Sequence, residues 1–109
     1  MKHSVTQARW VAEVALMRRT HPAFEPFTDK GQIGFTGALT GRSGRVYRID
    51  LRASAASYPA QAPKIFITPR VGPNLYRDGS LCVNRPWRPG QDTFAQQVLY
   101  AADYLKVNG

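Results

Sequence analysis

Apolar residues recur at helical spacing near both ends of the chain and at strand-like spacing between them. Within residues 4–19, Trp10, Val14 and Met17 fall at i, i+4 and i+7, with Val11 and Ala15 beside them, which predicts an amphipathic helix. Arg9, Glu13, Arg18 and Arg19 are mostly left to its other faces. Ser4 or Thr6 is its candidate cap, and His21-Pro22 ends it, because a residue before proline resists the helical region. Two strand-like runs follow, 33–40 and 45–52, separated by a Gly-Arg-Ser-Gly turn. In the second, Val46, Ile49 and Leu51 break strict alternation, so a bulge or a register ambiguity is expected. A loop over 53–63 leads to the strand KIFIT at 64–68. Residues 69–92 show little periodicity and hold four prolines and three glycines, the mark of a long irregular segment with a function; Leu81 and Trp87 argue that it is packed down. Residues 93–106 resume helical spacing through Phe94, Val98, Ala101 or Ala102, and Leu105, with Thr93 or Asp92 as cap and Asn108-Gly109 as the stop. The order predicts one α+β domain over 1–109: an N-terminal helix, an antiparallel meander sheet of three to four strands, a long loop, and a C-terminal helix packed on the sheet.

Composition narrows the class. With 43% hydrophobic residues in 109, the chain suits a single globular domain. No apolar run approaches the ~20 residues of a membrane span, and the N-terminus is too polar for a secretory signal. The single cysteine rules out an internal disulfide, and with the other features favours a reducing cytoplasm. A zinc site is excluded by count, since one cysteine and two histidines do not supply the usual ligands. The net charge of +8 and a pI near 10.3 favour an acidic partner, protein or nucleic acid.

Four pieces of the middle segment carry a resemblance. Tyr58-Pro59 followed by Pro63 looks like the proline-rich loop of ubiquitin-conjugating enzymes. Gly72-Pro73-Asn74 looks like that family's His-Pro-Asn, and the eight positions from Asn74 to Cys82 match its spacing from motif asparagine to catalytic cysteine. Asp78-Gly79-Ser80-Leu81 leads into the cysteine, and Trp87-Arg88-Pro89 looks like the family's Trp-Ser-Pro. The chain thus resembles a trimmed ubiquitin-conjugating domain, most similar to bacterial members, some of which belong to antiviral conjugation operons. There are departures. Gly72 stands where the family has a histidine with structural hydrogen bonds, the loop from Cys82 to Trp87 is short, and two helices usual after the cysteine do not follow.

The resemblance implies a thioester transferase without a cofactor or metal, working with a ubiquitin-like protein, an activating enzyme and an acceptor protein. Cys82 would be the nucleophile. Asn74 would either stabilise the oxyanion or hold the loop in shape. Tyr58, Pro59, Pro63, Gly72, Pro73, Gly79 and Trp87 would support the loop, Asp78 and Asp92 are weak candidates beside the incoming amine, and Arg77, Arg85 and Arg88 are the cations near the thiol. Arg9, Arg18 and Arg19 would form a docking face for an acidic activating enzyme, or else a solvated one. Two other classes compete: a catalytically inactive module that binds a ubiquitin-like partner, and a basic nucleic-acid-binding domain, disfavoured because no basic-aromatic motif accompanies the charge. A cysteine hydrolase would need His3 or His21, both ahead of the sheet, to reach Cys82.

Overall fold

The computed structural model of the protein describes residues 5–109, so Ser4 and His3 lie outside the described residues. The first helix, α1 (Gln7–Thr20), is capped by Thr6, whose hydroxyl accepts from the Arg9 N–H at 3.1 Å. It ends where the His21 N–H bonds back to the Met17 carbonyl. Met17 is fully buried, with Trp10, Val14 and Leu16 packed beside it. Val11 is 59% exposed and Ala15 is exposed as well, while Glu13, assigned by pattern to a polar face, is buried.

Four strands follow: β1 (Glu25–Asp29), β2 (Gln32–Thr40), β3 (Val46–Ser54) and β4 (Lys64–Thr68). They pair antiparallel in sequence order, β1-β2-β3-β4, as a meander. Strand β1 was not marked by pattern, because Glu25, Pro26 and Asp29 are poor strand residues and only Phe27 is half-buried. It joins β2 through Lys30 and Gly31, both at positive φ, as a two-residue hairpin requires. The expected irregularity in β3 is absent: pairing runs unbroken from Gln32↔Ser54 to Thr40↔Val46. The alternation becomes regular once Tyr47 replaces Val46 as the inward residue. Tyr47, Ile49 and Leu51 are buried, and Val46 is 61% exposed.

One face of the sheet carries the core. Phe35, Leu51 and Ile65 form one row across β2, β3 and β4; Gly37, Ile49 and Ile67 form the next. A side chain at Gly37 would collide with the Phe24 ring, which lies over it. The second helix, α2 (Phe94–Asn108), packs on this face through Phe94, Val98, Ala101 and Leu105. Its cap is Thr93, which accepts from the Gln96 N–H; Asp92 does other work. Trp10 lies 5.2 Å from Phe35 and 6.0 Å from Phe94 by ring centroid, so α1 and α2 share one aromatic core with the sheet. Full burial of each such large apolar side chain contributes about 1.5–3 kcal/mol relative to exposure. The opposite sheet face is polar, with Arg48, Asp50, Arg52 and Lys64 at successive positions.

Candidate functional site

Glu13 sets the frame around which the loop segment is hung. Its carboxylate accepts from the Tyr58 hydroxyl, from Arg9 Nε at 2.9 Å and from the Phe94 backbone N–H at 3.0 Å. One buried side chain thus ties α1 to the Tyr58 loop and to the first turn of α2, where a negative charge also meets the positive end of the helix dipole. Burial, reinforced by the bond to Glu13, holds the Tyr58 phenol neutral, far above its ordinary range. Arg9 is spent here as well: it donates to the Pro89 and Asp92 carbonyls, both at 2.7 Å, and to Tyr58 at 3.2 Å. Arg9 therefore belongs to the interior network and not to a free basic face; Arg18 and Arg19 remain exposed. Trp87 donates its indole N–H to the Pro59 carbonyl at 2.7 Å and packs on Tyr58, so Tyr58, Pro59 and Trp87 hold the loop together. The Tyr58-Pro59 peptide bond is cis.

From this frame a short hairpin projects. The Tyr76 N–H bonds to the Ser80 carbonyl and the Cys82 N–H to the Asn74 carbonyl, each at 2.8 Å, with Leu75 and Leu81 bridged between them. The Gly79 N–H closes the turn onto the Tyr76 carbonyl, and Gly79 adopts φ 91°, which favours glycine. Asn74 and Cys82 are consequently cross-strand neighbours, which is what their spacing in sequence becomes in three dimensions. Asn74 sits at φ 67°, a left-handed conformation that asparagine tolerates better than most residues. The hairpin extends the sheet beyond β4, since the Leu81 N–H bonds to the Ile65 carbonyl.

Cys82 is exposed, and its thiol donates to the Tyr76 hydroxyl at 3.3 Å. That contact raises the Tyr76 phenol above its ordinary pKa. Cys82 and Asn74 open onto a groove of about 310 Å³ whose far wall is α2, through Tyr100, Asp103, Tyr104 and Asn108. Of the three cations read as surrounding the thiol, Arg85 lines this groove, with its guanidinium over the Tyr100 ring at 5.5 Å. Arg77 stands in the hairpin turn, and Arg88 is paired with Asp92.

Neither Asp78 nor Asp92 is available to an incoming amine. Asp78 binds Lys64 at 2.7 Å and the Ser80 hydroxyl and N–H, and these bonds hold its carboxyl well below the usual carboxylate range. Asp92 is buried and accepts from the Arg88 N–H and guanidinium, which lower its pKa in the same way. The carboxylate that does face the thiol groove is Asp103. Since the folded pKa of Asp78 is depressed, its contribution to the hairpin is complete above the unfolded value of about 4 and fades as pH falls below it. The hairpin amides are expected to lose protection from hydrogen exchange on acidification through that range, and Asp78→Asn to flatten this dependence, as NMR will read directly.

Gly72 and Pro73 approach α2 closely. Tyr104 donates its hydroxyl to the Val71 carbonyl at 2.8 Å and to that of Pro73, bracketing Gly72. The tether that the resemblance assigns to a histidine is thus supplied from α2. Sequence reasoning missed Tyr104, along with Tyr76, Tyr100, Asp103 and Asn108. The signal was present, because 100, 104 and 108 share one face of a helix. His21 packs on Phe24 at the end of α1, at 6.2 Å between ring centroids, and lines neither of the two cavities beside the hairpin.

A second cavity, about 590 Å³, lies on the other flank of the hairpin and is larger than the groove at the cysteine. No helix among the described residues is long and apolar enough to cross a membrane, and they contain no cluster of three potential metal ligands. No family model matches the chain, no curated protein matches it, and no solved structure matches it.

Proposed function

We propose that the protein carries the C-terminal acyl group of a ubiquitin-like protein as a thioester on Cys82 and passes it to an acceptor amine, in the manner of the ubiquitin-conjugating enzymes its motifs resemble. The observation that carries this reading is the pairing of an exposed thiol with Asn74 across a two-stranded hairpin at the mouth of a groove. In the first step the Cys82 thiolate attacks the thioester of the activating enzyme, a carbon–sulfur bond forms at Cys82, and the activating enzyme's thiolate leaves. In the second an amine attacks, the new carbon–sulfur bond breaks, and the Cys82 thiolate is released while the amine loses its proton. Both steps pass through an oxyanion, which the Asn74 carboxamide is placed to stabilise; one such donor is worth on the order of 100-fold or more in rate. The Tyr76 hydroxyl, already on the sulfur, offers a hydrogen bond to the thiolate released in the second step. Asp103 gives an ammonium group a carboxylate along the same groove.

The test mixes the protein with an activating enzyme, ATP and the ubiquitin-like protein that enzyme serves, and separates the products on a non-reducing gel. The expected adduct is cleaved by added thiol. Cys82→Ser is expected to give an adduct that resists thiol and yields to hydroxide, and Cys82→Ala none. A partner set that binds the protein but leaves no adduct on the wild type would sink the proposal in favour of a binding-only module.

A further inference from the structure

The larger cavity beside the hairpin holds a buried polar group with nothing to bind. Gln97, on the inner side of α2, is 4% exposed and lines this cavity, yet no described residue hydrogen-bonds its carboxamide. Other buried polar side chains of the protein are engaged: Glu13, Ser80 and Asp92 all have partners. A buried amide with open space before it is a recognition group, because leaving it unpaired costs about 1–3 kcal/mol that a ligand recovers. The cavity walls are Trp87 and Tyr100, and its rim carries Lys64, Arg77 and Arg85. Lys64 is neutralised by Asp78, whereas neither Arg77 nor Arg85 has a carboxylate partner among the described residues.

The shape decides between ligand classes. Leu81, Val83, Arg85 and Tyr100 line both this cavity and the groove that holds Cys82. A compact ligand fills one space, while an extended chain crosses both under Arg85. The Gln97 carboxamide offers a donor and an acceptor, the complement of a peptide group. The two free guanidiniums select negative side chains.

We infer that this cavity is the subsite for the tail of the donor polypeptide, and that it selects an extended C-terminal segment with acidic residues shortly before the terminal carboxyl group. Gln97 pairs with a main-chain amide of that segment, Arg77 and Arg85 hold its acidic side chains, and the terminus passes beneath Arg85 towards Cys82. The inference rests on the thioester reading for its biological role, but the binding it asserts is measurable without any transfer.

The test uses a fluorescein-labelled hexapeptide with three aspartates ahead of a free Gly-Gly terminus, its counterpart with lysines for the aspartates, and AMP, each titrated against the full protein. The acidic peptide is expected to bind by anisotropy, more weakly as salt is added, and the lysine peptide to fail. Arg77→Glu, at the exposed turn, and Gln97→Leu are each expected to weaken the acidic peptide by about tenfold or more, the loss of one charged or desolvated hydrogen bond. Circular dichroism identifies a Gln97→Leu protein that has not folded; Arg77→Glu then carries the test alone. Cys82→Ala is expected to bind like the wild type. Equal binding of both peptides, no binding of the acidic one, or indifference to Arg77→Glu overturns the inference, and so does saturable AMP binding that displaces the peptide. Peptide binding without any adduct in the transfer assay would remove the thioester reading and leave this subsite standing; an adduct without peptide binding would do the reverse.

Discussion

Glu13→Ala is expected to destabilise the protein by about 3–5 kcal/mol, a loss typical of breaking a buried charged network from one side. Most single substitutions cost far less, and a domain has only about 5–15 kcal/mol in total. The size follows from how much one carboxylate satisfies. Its removal orphans the Phe94 N–H and the Tyr58 hydroxyl, both in the core, and strips Arg9 of its counter-charge. The side chain of Glu13 is 1% exposed and that of Arg9 22%, so solvent screens the ion pair from one side only. Glu13→Gln keeps the shape and an acceptor for Phe94, and a smaller loss is expected. Urea denaturation of the three proteins gives the order directly; an alanine variant within 1 kcal/mol of wild type would contradict the network's structural role.

Gly72→His restores the residue that the resemblance calls for, and it is expected to harm the protein. Gly72 sits at φ 74°, and a Cβ there would lie 2.6 Å from the Tyr104 hydroxyl and 2.7 Å from Asn108 Cβ. Left-handed strain adds about 1 kcal/mol or more for a non-glycine residue, and overpacking about 1–3 kcal/mol. A loss of about 2–4 kcal/mol in thermal or urea unfolding is therefore expected for Gly72→His, with Gly72→Ala near the lower end. Tyr104→Phe in the Gly72→Ala background relieves one contact and leaves the Asn108 contact and the backbone strain, so only partial recovery is expected. A stabilised Gly72→His protein would show that the family's histidine fits here after all.

Both cases mark where sequence reading stops. The helix faces and the order of elements were legible because apolar periodicity is local. Thr6 and Thr93 were among the candidate caps for the same reason. Tyr47 was passed over in β3 because a tyrosine reads as either face until its neighbours are known; register with Leu39 settles it. Glu13 was read as solvated because nothing within a helical turn shows that Tyr58, 45 positions away, will come to it. Arg9 followed the same error. In the candidate site, the Asn74–Cys82 relation was legible because it is a hairpin spacing. The α2 wall was not, since the helix was read for its buried face alone. The exchange of a motif histidine for a tyrosine on another element needs the fold: Gly72 alone shows only that something is missing.

The contact between the hairpin and β4 has a consequence for how the protein behaves in a crowd. A sheet edge with unpaired N–H and C=O groups is a template for another chain. The β1 edge is guarded by Pro26 and by the charges of Glu25 and Asp29. The β4 edge, KIFIT, has no such gatekeepers at its apolar centre, and its guard is the hairpin itself, through the Leu81 N–H on the Ile65 carbonyl. The segment that presents Cys82 is therefore also the cover that keeps an adhesive strand from finding a copy of itself. Lifting the hairpin would expose a thiol and a sticky edge together, which ties the chemistry of this segment to the solubility of the whole chain.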